Sequence, residues 1–137
     1  MNMTNDFLKE AINKLKYSKL KITQQRIELL NIMFAGAENH FTPEDVHRKV
    51  KETGRSISLA TVYNSLKQFT QHGILKEIRL SPDKMYFDTN LKHHHHFYDK
   101  YSGAITDVNS DKVKIQKIPE IPKGKILESV EVLINIK

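Results

Sequence analysis

The chain contains no cysteine among its 137 residues. Disulfides, iron–sulfur clusters, thiolate zinc sites and thiol catalysis are therefore excluded. Any bound metal must be held by histidine, carboxylate or main-chain oxygen ligands. No apolar run approaches the roughly 20 residues that a membrane-spanning helix requires. Residues 1–6 also lack the basic start and apolar stretch of a secretory signal. These absences predict a cytoplasmic protein.

Basic residues outnumber acidic residues, 22 to 16, which gives a formal net charge of +6. The excess is concentrated in residues 46–82, where seven basic and two acidic side chains give a local net charge of +5. Such a balance favours nucleic acid or an acidic lipid surface as the partner.

Four helices are predicted before residue 72. Apolar residues recur at helical spacing over residues 4–17. Thr23, Thr42 and Ser58 are suitable N-caps for the three helices that follow. Thr42 precedes a proline and two acidic residues, which is typical of a first helical turn because prolines and negative charges are favourable there.

A β-hairpin is predicted after the fourth helix. Strands at 74–80 and 84–88 are joined by residues 81–83, a Ser-Pro-Asp sequence that favours a turn. Helices followed by a hairpin in this order are typical of a winged-helix DNA-binding domain. Farther along the chain, residues 129–136 contain alternating apolar side chains, which predicts a last strand.

The composition changes after residue 88, which predicts two domains. We place the winged-helix domain at residues 1–88, a hinge at 89–92 and a small αβ domain at 93–137. The sequence therefore predicts an α+β fold.

The predicted helix that begins at Ser58 presents a polar face. In a helix-turn-helix the second helix enters the major groove, and its first residues reach the base edges. Hydroxyl and amide side chains can contact bases there, and lysine or arginine can contact phosphates. A solvated polar face is the alternative, but the hairpin and the local charge favour DNA. The predicted DNA-contacting residues are Lys21, Arg26, Arg55, Ser58, Thr61, Tyr63, Asn64 and Lys67.

Four consecutive histidines, His93–His96, form the most unusual feature of the sequence. In an extended segment His94 and His96 project to the same face, where two imidazoles can chelate one ion. By residue type, His40, Asp88 and Asp107 are further potential ligands. Histidine and carboxylate together suit iron, zinc or manganese. A solvated basic hinge is the alternative.

Three segments, residues 20–26, 58–69 and 86–90, closely resemble the ferric uptake regulator (Fur) superfamily. The resemblance extends over essentially the whole chain. It is strongest to the iron response regulators (Irr), because of the Tyr-Asn pair after Ala-Thr-Val, the Phe-Asp-Thr-Asn stretch, the histidine run and the missing cysteines. The resemblance implies a homodimer formed by the C-terminal αβ domain, with winged helices bound to an inverted repeat in operator DNA.

The resemblance also implies a ligand set. The superfamily's regulatory metal site corresponds to His40, Asp88, His94, His96 and Asp107, and haem binding in Irr-like proteins is associated with the stretch His94, His95 and His96. Tyr63 and Lys21 match DNA-contacting positions. The cysteine pairs of the structural zinc site and the Cys-Pro haem motif are absent, so the histidine cluster must supply any haem response. The role of His93 is left open.

Other functions fit parts of the sequence. One is a zinc, manganese or peroxide sensor of the same superfamily, and another is a haem or metal carrier that does not bind DNA. A metal-dependent hydrolase is the least favoured, because the sequence offers no general base apart from the ligands and no phosphate-binding glycine loop. We expect a regulator that binds haem, a divalent metal ion (Fe, Mn or Zn) or both, and not an enzyme.

Overall fold

The computed structural model describes residues 3–36 and 39–137. In chain order, the elements are α1 (Met3–Tyr17), α2 (Gln24–Phe34), β1 (His40–Phe41), α3 (Pro43–Glu52), α4 (Leu59–Gln71), β2 (Lys76–Ser81), β3 (Lys84–Asp88), β4 (His94–Asp99), β5 (Ile105–Asn109), a 3-10 turn (Ser110–Lys112) and β6 (Leu133–Ile136). The chain divides into two compact units, residues 1–91 and 92–137. The mixed α+β architecture is as predicted, whereas the functions assigned to residues 1–88, 89–92 and 93–137 stay predictions.

The predicted helix starts are confirmed by their side-chain caps. The Thr23 hydroxyl accepts a hydrogen bond from the Arg26 N–H at the start of α2. Thr42 and Asp45 form a reciprocal capping box at the start of α3. Ser58 accepts from the Thr61 N–H at the start of α4. Each bond satisfies an amide that the helix itself leaves unpaired.

The first unit packs its helices around one apolar core and a three-stranded sheet. Buried side chains from all four helices form this core, with Leu15, Leu29, Val46, Leu66 and Phe87 among its members. The sheet has the order β1-β3-β2, and both pairings are antiparallel. The first strand of the hairpin, predicted from residue 74, begins at Lys76. The two residues before it, Ile74 and Leu75, are buried in the core.

Strand β1 was not predicted, because its two residues are too few for a period-two pattern. It pairs with β3 so that His40 lies opposite Asp88. Asn39 adds a main-chain bond to this edge, its carbonyl accepting from the Thr89 N–H at 3.0 Å. This short pairing brings together two residues that are 48 positions apart in the sequence.

The second unit is a three-stranded sheet with β4 at its centre. β5 pairs with β4 antiparallel and β6 pairs with it parallel. The last strand was predicted at 129–136 but spans only Leu133–Ile136. Before it, the Val130 carbonyl and the Val132 N–H contact the rings of His93 and His95, while the Val132 carbonyl accepts from the His96 N–H of β4 at 3.1 Å. Helical structure in residues 92–137 is limited to the 3-10 turn.

No helix within residues 3–36 and 39–137 combines the length and the apolar character that crossing a bilayer requires.

Candidate metal ligands and nucleic-acid interface

The first unit contains a histidine–carboxylate pair at the edge of its sheet. His40 Nε2 lies 3.4 Å from Asp88 Oδ2, and the Asp88 side chain is fully buried. The other carboxylate oxygen, Oδ1, accepts from the Asn90 N–H at 2.9 Å and from the Asn39 amide at 3.3 Å. These bonds orient the carboxylate, as the outer partners of a metal ligand do.

The second unit contains a larger group of candidate ligands, formed by His94, His96 and Asp107. The two imidazoles lie on one face of β4 with ring centroids 4.4 Å apart. Asp107 is the register partner of His96 on β5. Its Oδ1 lies 3.2 Å from His94 Nε2 and 3.5 Å from His96 Nε2. One ligand atom from each of the three lies within 4.8 Å of the others. The predicted sharing of a face by His94 and His96 is confirmed.

The orientation of His94 suits a ligand role. Its Nδ1 is within hydrogen-bonding distance of the Lys92 carbonyl oxygen. A proton on Nδ1 is therefore donated to that carbonyl, and Nε2 is left to act as the ligand atom. Two histidines and one carboxylate form the donor set that ferrous iron binds in many proteins, and the set also suits zinc and manganese.

The other two histidines, His93 and His95, contact the chain segment before β6. Their rings meet edge to face, with centroids 5.1 Å apart. His93 Nε2 lies 2.8 Å from the Val130 carbonyl oxygen. His95 Nδ1 accepts from the Val132 N–H at 2.9 Å. His93, whose role the sequence leaves open, thus contacts the Val130 carbonyl oxygen, and His95 contacts the Val132 N–H.

His95 is buried, with 2% of its surface exposed. Burial lowers the pKa of its imidazole, and the neighbouring His93 lowers it further, while Glu131 opposes the shift. Desolvation disfavours the charged imidazolium. Since Nδ1 accepts the Val132 N–H, the neutral ring must carry its proton on Nε2.

The predicted recognition helix, α4, presents part of its first turns to solvent. Tyr63 and Asn64 are exposed and Thr61 is half-buried. Ser58 caps the helix, and its hydroxyl also bonds to the Thr61 hydroxyl at 2.9 Å. Tyr63 lines a groove of about 540 Å³ that runs between the start of α3 and the β2–β3 hairpin. This groove also includes Arg79 and Lys84, two cations that were not predicted as DNA contacts.

Three of the four predicted phosphate-contacting cations are bonded within the first unit. Arg26 donates to the Lys21 carbonyl oxygen and, at 3.2 Å, to Gln68 Oε1.

The other two, Arg55 and Lys67, pair with Glu28 and Glu77 respectively. The partners were not predicted, because they are distant in sequence and no local pattern marks them. Lys21 is exposed, as a phosphate contact must be.

Comparison with known proteins identifies a family and two similar relatives. Residues 17–135 match the model of the ferric uptake regulator family. The chain is similar to a ferric uptake regulation protein of Neisseria meningitidis, with 34% identity over 104 residues, 75% of this chain and 72% of the relative. It is also similar to the peroxide-responsive repressor PerR of Staphylococcus aureus, with 31% identity over 100 residues, 73% of this chain and 67% of the relative.

A solved structure shares the fold. The chain aligns with the structure of a ferric uptake regulator from Francisella tularensis with iron, at a TM-score of 0.71 and 25% identity. The alignment covers 87% of this chain and 92% of the other. The relatives are named as regulators, which supports the expectation that the chain is not an enzyme. The finer resemblance to the iron response regulators stays a prediction.

The buried, neutral His95 predicts a stability that depends on pH. The folded-state pKa lies below the unfolded value of about 6.5, so the stabilisation is present above that pH and is lost as the pH falls through the folded-state pKa. His95→Asn keeps an acceptor near the Nδ1 position but does not titrate in this range. We expect the protection factor of the Val132 amide, which is the intrinsic exchange rate divided by the rate measured by NMR at the same pH, to fall on acidification in the wild type and much less in His95→Asn. His72→Asn, at an exposed position after α4, is the control. An equal fall of the protection factor in the wild type and His95→Asn would exclude His95 as the cause.

Proposed function

The chain belongs to the ferric uptake regulator family, and we propose that it is a dimeric transcription regulator whose binding to inverted-repeat operator DNA responds to iron. The observation that carries the proposal is the oriented set of histidine and aspartate ligands in a chain without cysteine. The exposed start of α4 and the local charge of residues 46–82 support DNA as the partner.

We propose that His40, Asp88, His94, His96 and Asp107 bind one ion. Neither the pair in the first unit nor the three residues in the second completes a tetrahedral or octahedral shell by itself. That both groups bind the same ion rests on ligand chemistry and on the family resemblance. Metal binding at these residues would change DNA affinity through the ion's preference for one arrangement of the protein over another.

Iron is the ion we favour. The donor set of His94, His96 and Asp107 suits Fe(II), and a relative is named for ferric uptake. Affinity alone does not select iron over zinc at such ligands, because zinc binds more tightly in the usual order of divalent metals. Selectivity would therefore depend on coordination number and on which metal the cell supplies.

Haem is an alternative ligand to the metal ion. The resemblance to iron response regulators implies haem binding at His94, His95 and His96. Haem iron requires a neutral imidazole, which these residues can provide. However, all three side chains are buried, at most 5% exposed. His95 also holds the Val132 N–H, so a haem at this ring has to separate β4 from residues 130–132. We therefore favour a metal ion over haem as the ligand of these histidines.

Peroxide sensing is a second candidate function. The similarity to a peroxide-responsive repressor is nearly as high as the similarity to the ferric uptake regulation protein. A ferrous ion at histidine and carboxylate ligands is also a centre at which peroxide can react. The two functions differ in whether the iron-loaded protein loses DNA binding on exposure to peroxide.

A homodimer is expected because the second unit lacks an apolar core of its own. Among residues 92–137, all of which the structure describes, Val108 is the one buried apolar side chain. Ile126 and Leu127, by contrast, are 93% and 46% exposed. A unit of this size is marginal even with a full core. We therefore propose that a second copy covers this apolar surface.

Light scattering at micromolar concentration should give twice the chain mass. The double variant Ile126→Asp/Leu127→Asp is expected to shift the protein toward monomer, because charges would enter the buried contact. Tyr17→Asp, at a residue that is 90% exposed in the first unit, is the control. A monomeric wild type would contradict the dimer. A double variant that is still dimeric would show that the dimer contact does not involve Ile126 and Leu127.

Tyr63→Ala and Lys21→Ala are expected to affect DNA binding differently. The test compares a selected duplex, enriched from a random pool by the metal-loaded wild type, with a random duplex of the same length. Loss of a base contact at Tyr63 should cost about 1–3 kcal/mol on the selected duplex only. Loss of a phosphate contact at Lys21 should weaken both duplexes and reduce the log–log salt slope by about 0.9 for each site lost. Equal losses of affinity on both duplexes for both variants would contradict the role of α4 as the recognition helix.

Metal should tighten binding to the selected duplex by about 5- to 150-fold, the usual range of coupling between two sites. The measurement is fluorescence anisotropy with the metal-free protein and with Fe²⁺, Mn²⁺ or Zn²⁺ under anaerobic conditions. His94→Ala/His96→Ala should abolish the response, and His72→Ala, an exposed histidine, should preserve it. DNA binding that is the same with and without every metal would contradict the proposal.

Two further arms of this experiment test haem binding and peroxide sensing. Haem is added to the metal-loaded protein, with a Soret titration of the wild type and of the variant His94→Ala/His95→Ala/His96→Ala. A Soret change that the triple variant lacks, together with release of DNA, would establish the haem response. Peroxide is added to the Fe²⁺- and Mn²⁺-loaded proteins in parallel. Loss of DNA binding with Fe²⁺ alone would establish peroxide sensing.

A further inference from the structure

Glu77, on strand β2, contacts cations from two different elements. Its Oε2 lies 3.8 Å from Lys67 Nζ on α4. Its Oε1 accepts a hydrogen bond from Arg79 Nη2 at 3.1 Å. The Glu77 side chain is 25% exposed, less than either cation. A single carboxylate therefore joins a cation of the predicted recognition helix to a cation of the hairpin.

Arg79 is also held by the turn of the hairpin. Its Nη1 donates to the Pro82 carbonyl oxygen at 3.4 Å, and its Nη2 lies 3.6 Å from Met85 Sδ. The pairing of β2 with β3 shifts its register between Arg79 and Ser81, and such irregularities re-aim side chains. The guanidinium is thus fixed beside the groove that Tyr63 lines.

Lys67 is restrained from a second side as well. Its ammonium group lies 6.0 Å from the centroid of the Tyr63 ring, one helical turn earlier on α4. The predicted base-contacting residue and the two cations are therefore connected by Glu77 and by this ring contact. Together, Lys67, Glu77 and Arg79 retain one net positive charge beside the groove.

Stability is a weak reason for this arrangement, because exposed ion pairs contribute little to folding. Affinity for phosphate alone is no reason either, since a carboxylate near DNA repels the phosphates. Fixing flexible cations has a different effect. A lysine or arginine that is already ordered loses less side-chain entropy when it binds a phosphate in one geometry. That gain applies to a duplex that fits the fixed cations, and much less to other duplexes.

We propose that Glu77 is a positioning residue for DNA recognition, which fixes Lys67 of α4 and Arg79 of the hairpin relative to Tyr63. The proposal rests on the proposed DNA-binding function. It assigns to an acidic side chain a favourable role in binding an acidic partner. The sign of the effect of removing its charge therefore tests the proposal.

The first variant is Glu77→Gln, which keeps the shape and removes the charge. We expect binding to the selected duplex to weaken by about two- to fivefold, the range for releasing one surface ion pair. Binding to the random duplex should stay unchanged or tighten, so the ratio of the two affinities falls. Glu52→Gln, at an exposed residue at the end of α3, is the charge-matched control. It should leave the ratio at the wild-type value.

The second variant is Arg79→Lys, which preserves the net charge. Lysine lacks the guanidinium fork that contacts Glu77, Pro82 and Met85 together, so the affinity ratio should fall as it does for Glu77→Gln. In the double variant the two losses should not add, because both remove the same restraint. Thermal unfolding of each variant checks the fold, and this charge-preserving variant supplies the test if Glu77→Gln unfolds.

The outcomes separate this role from the proposed function. If the wild type selects no duplex, the proposed function fails and the role of Glu77 fails with it. If the wild type selects a duplex but Glu77→Gln binds both duplexes more tightly at an unchanged ratio, the carboxylate is only repulsive and the role of Glu77 alone is overturned.

Discussion

The alternation of side chains along residues 93–99, which comprise His93 and strand β4, gives four consecutive histidines two different sets of contacts. Because successive residues of a strand point to opposite faces, His94 and His96 face Asp107, whereas His93 and His95 face the main chain of residues 130–132. The two histidines that are candidate metal ligands and the two that contact the main chain therefore lie on opposite sides of the same extended segment. A shift of the strand by one residue would exchange the two sets, so the register of β4 with β5 controls the candidate site.

This geometry also ties metal binding to the stability of the second unit. Residues 92–137 bury one apolar side chain and three histidines, so polar bonds provide much of the unit's internal order. An ion bound at His94, His96 and Asp107, as proposed, would stabilise the folded form by mass action, because the unfolded chain does not present the three ligands together. The proposed metal ion and the proposed second copy would therefore act on the same sheet that the His95–Val132 bond supports.

The basic surface of the first unit is more structured than its net charge indicates. Arg26, Arg55 and Lys67 each bond to another group of the same unit, and acidic side chains are among their partners. Counting charges therefore overstates how many cations are available for phosphates. Under the proposed DNA-binding function this has a consequence, because fixed cations favour one path of the DNA backbone over others.

Interactions that are local in sequence could be predicted from it. Thr23, Thr42 and Ser58 cap their helices because a cap depends on residues three positions away, and the two faces of the histidine run follow from strand geometry alone. The pairing of His40 with Asp88, the bond from His95 to Val132 and the acid partners of the cations were decided only by tertiary structure. Each joins residues far apart in the chain, and such pairs are set by how the helices and sheets pack and not by any repeat in the sequence.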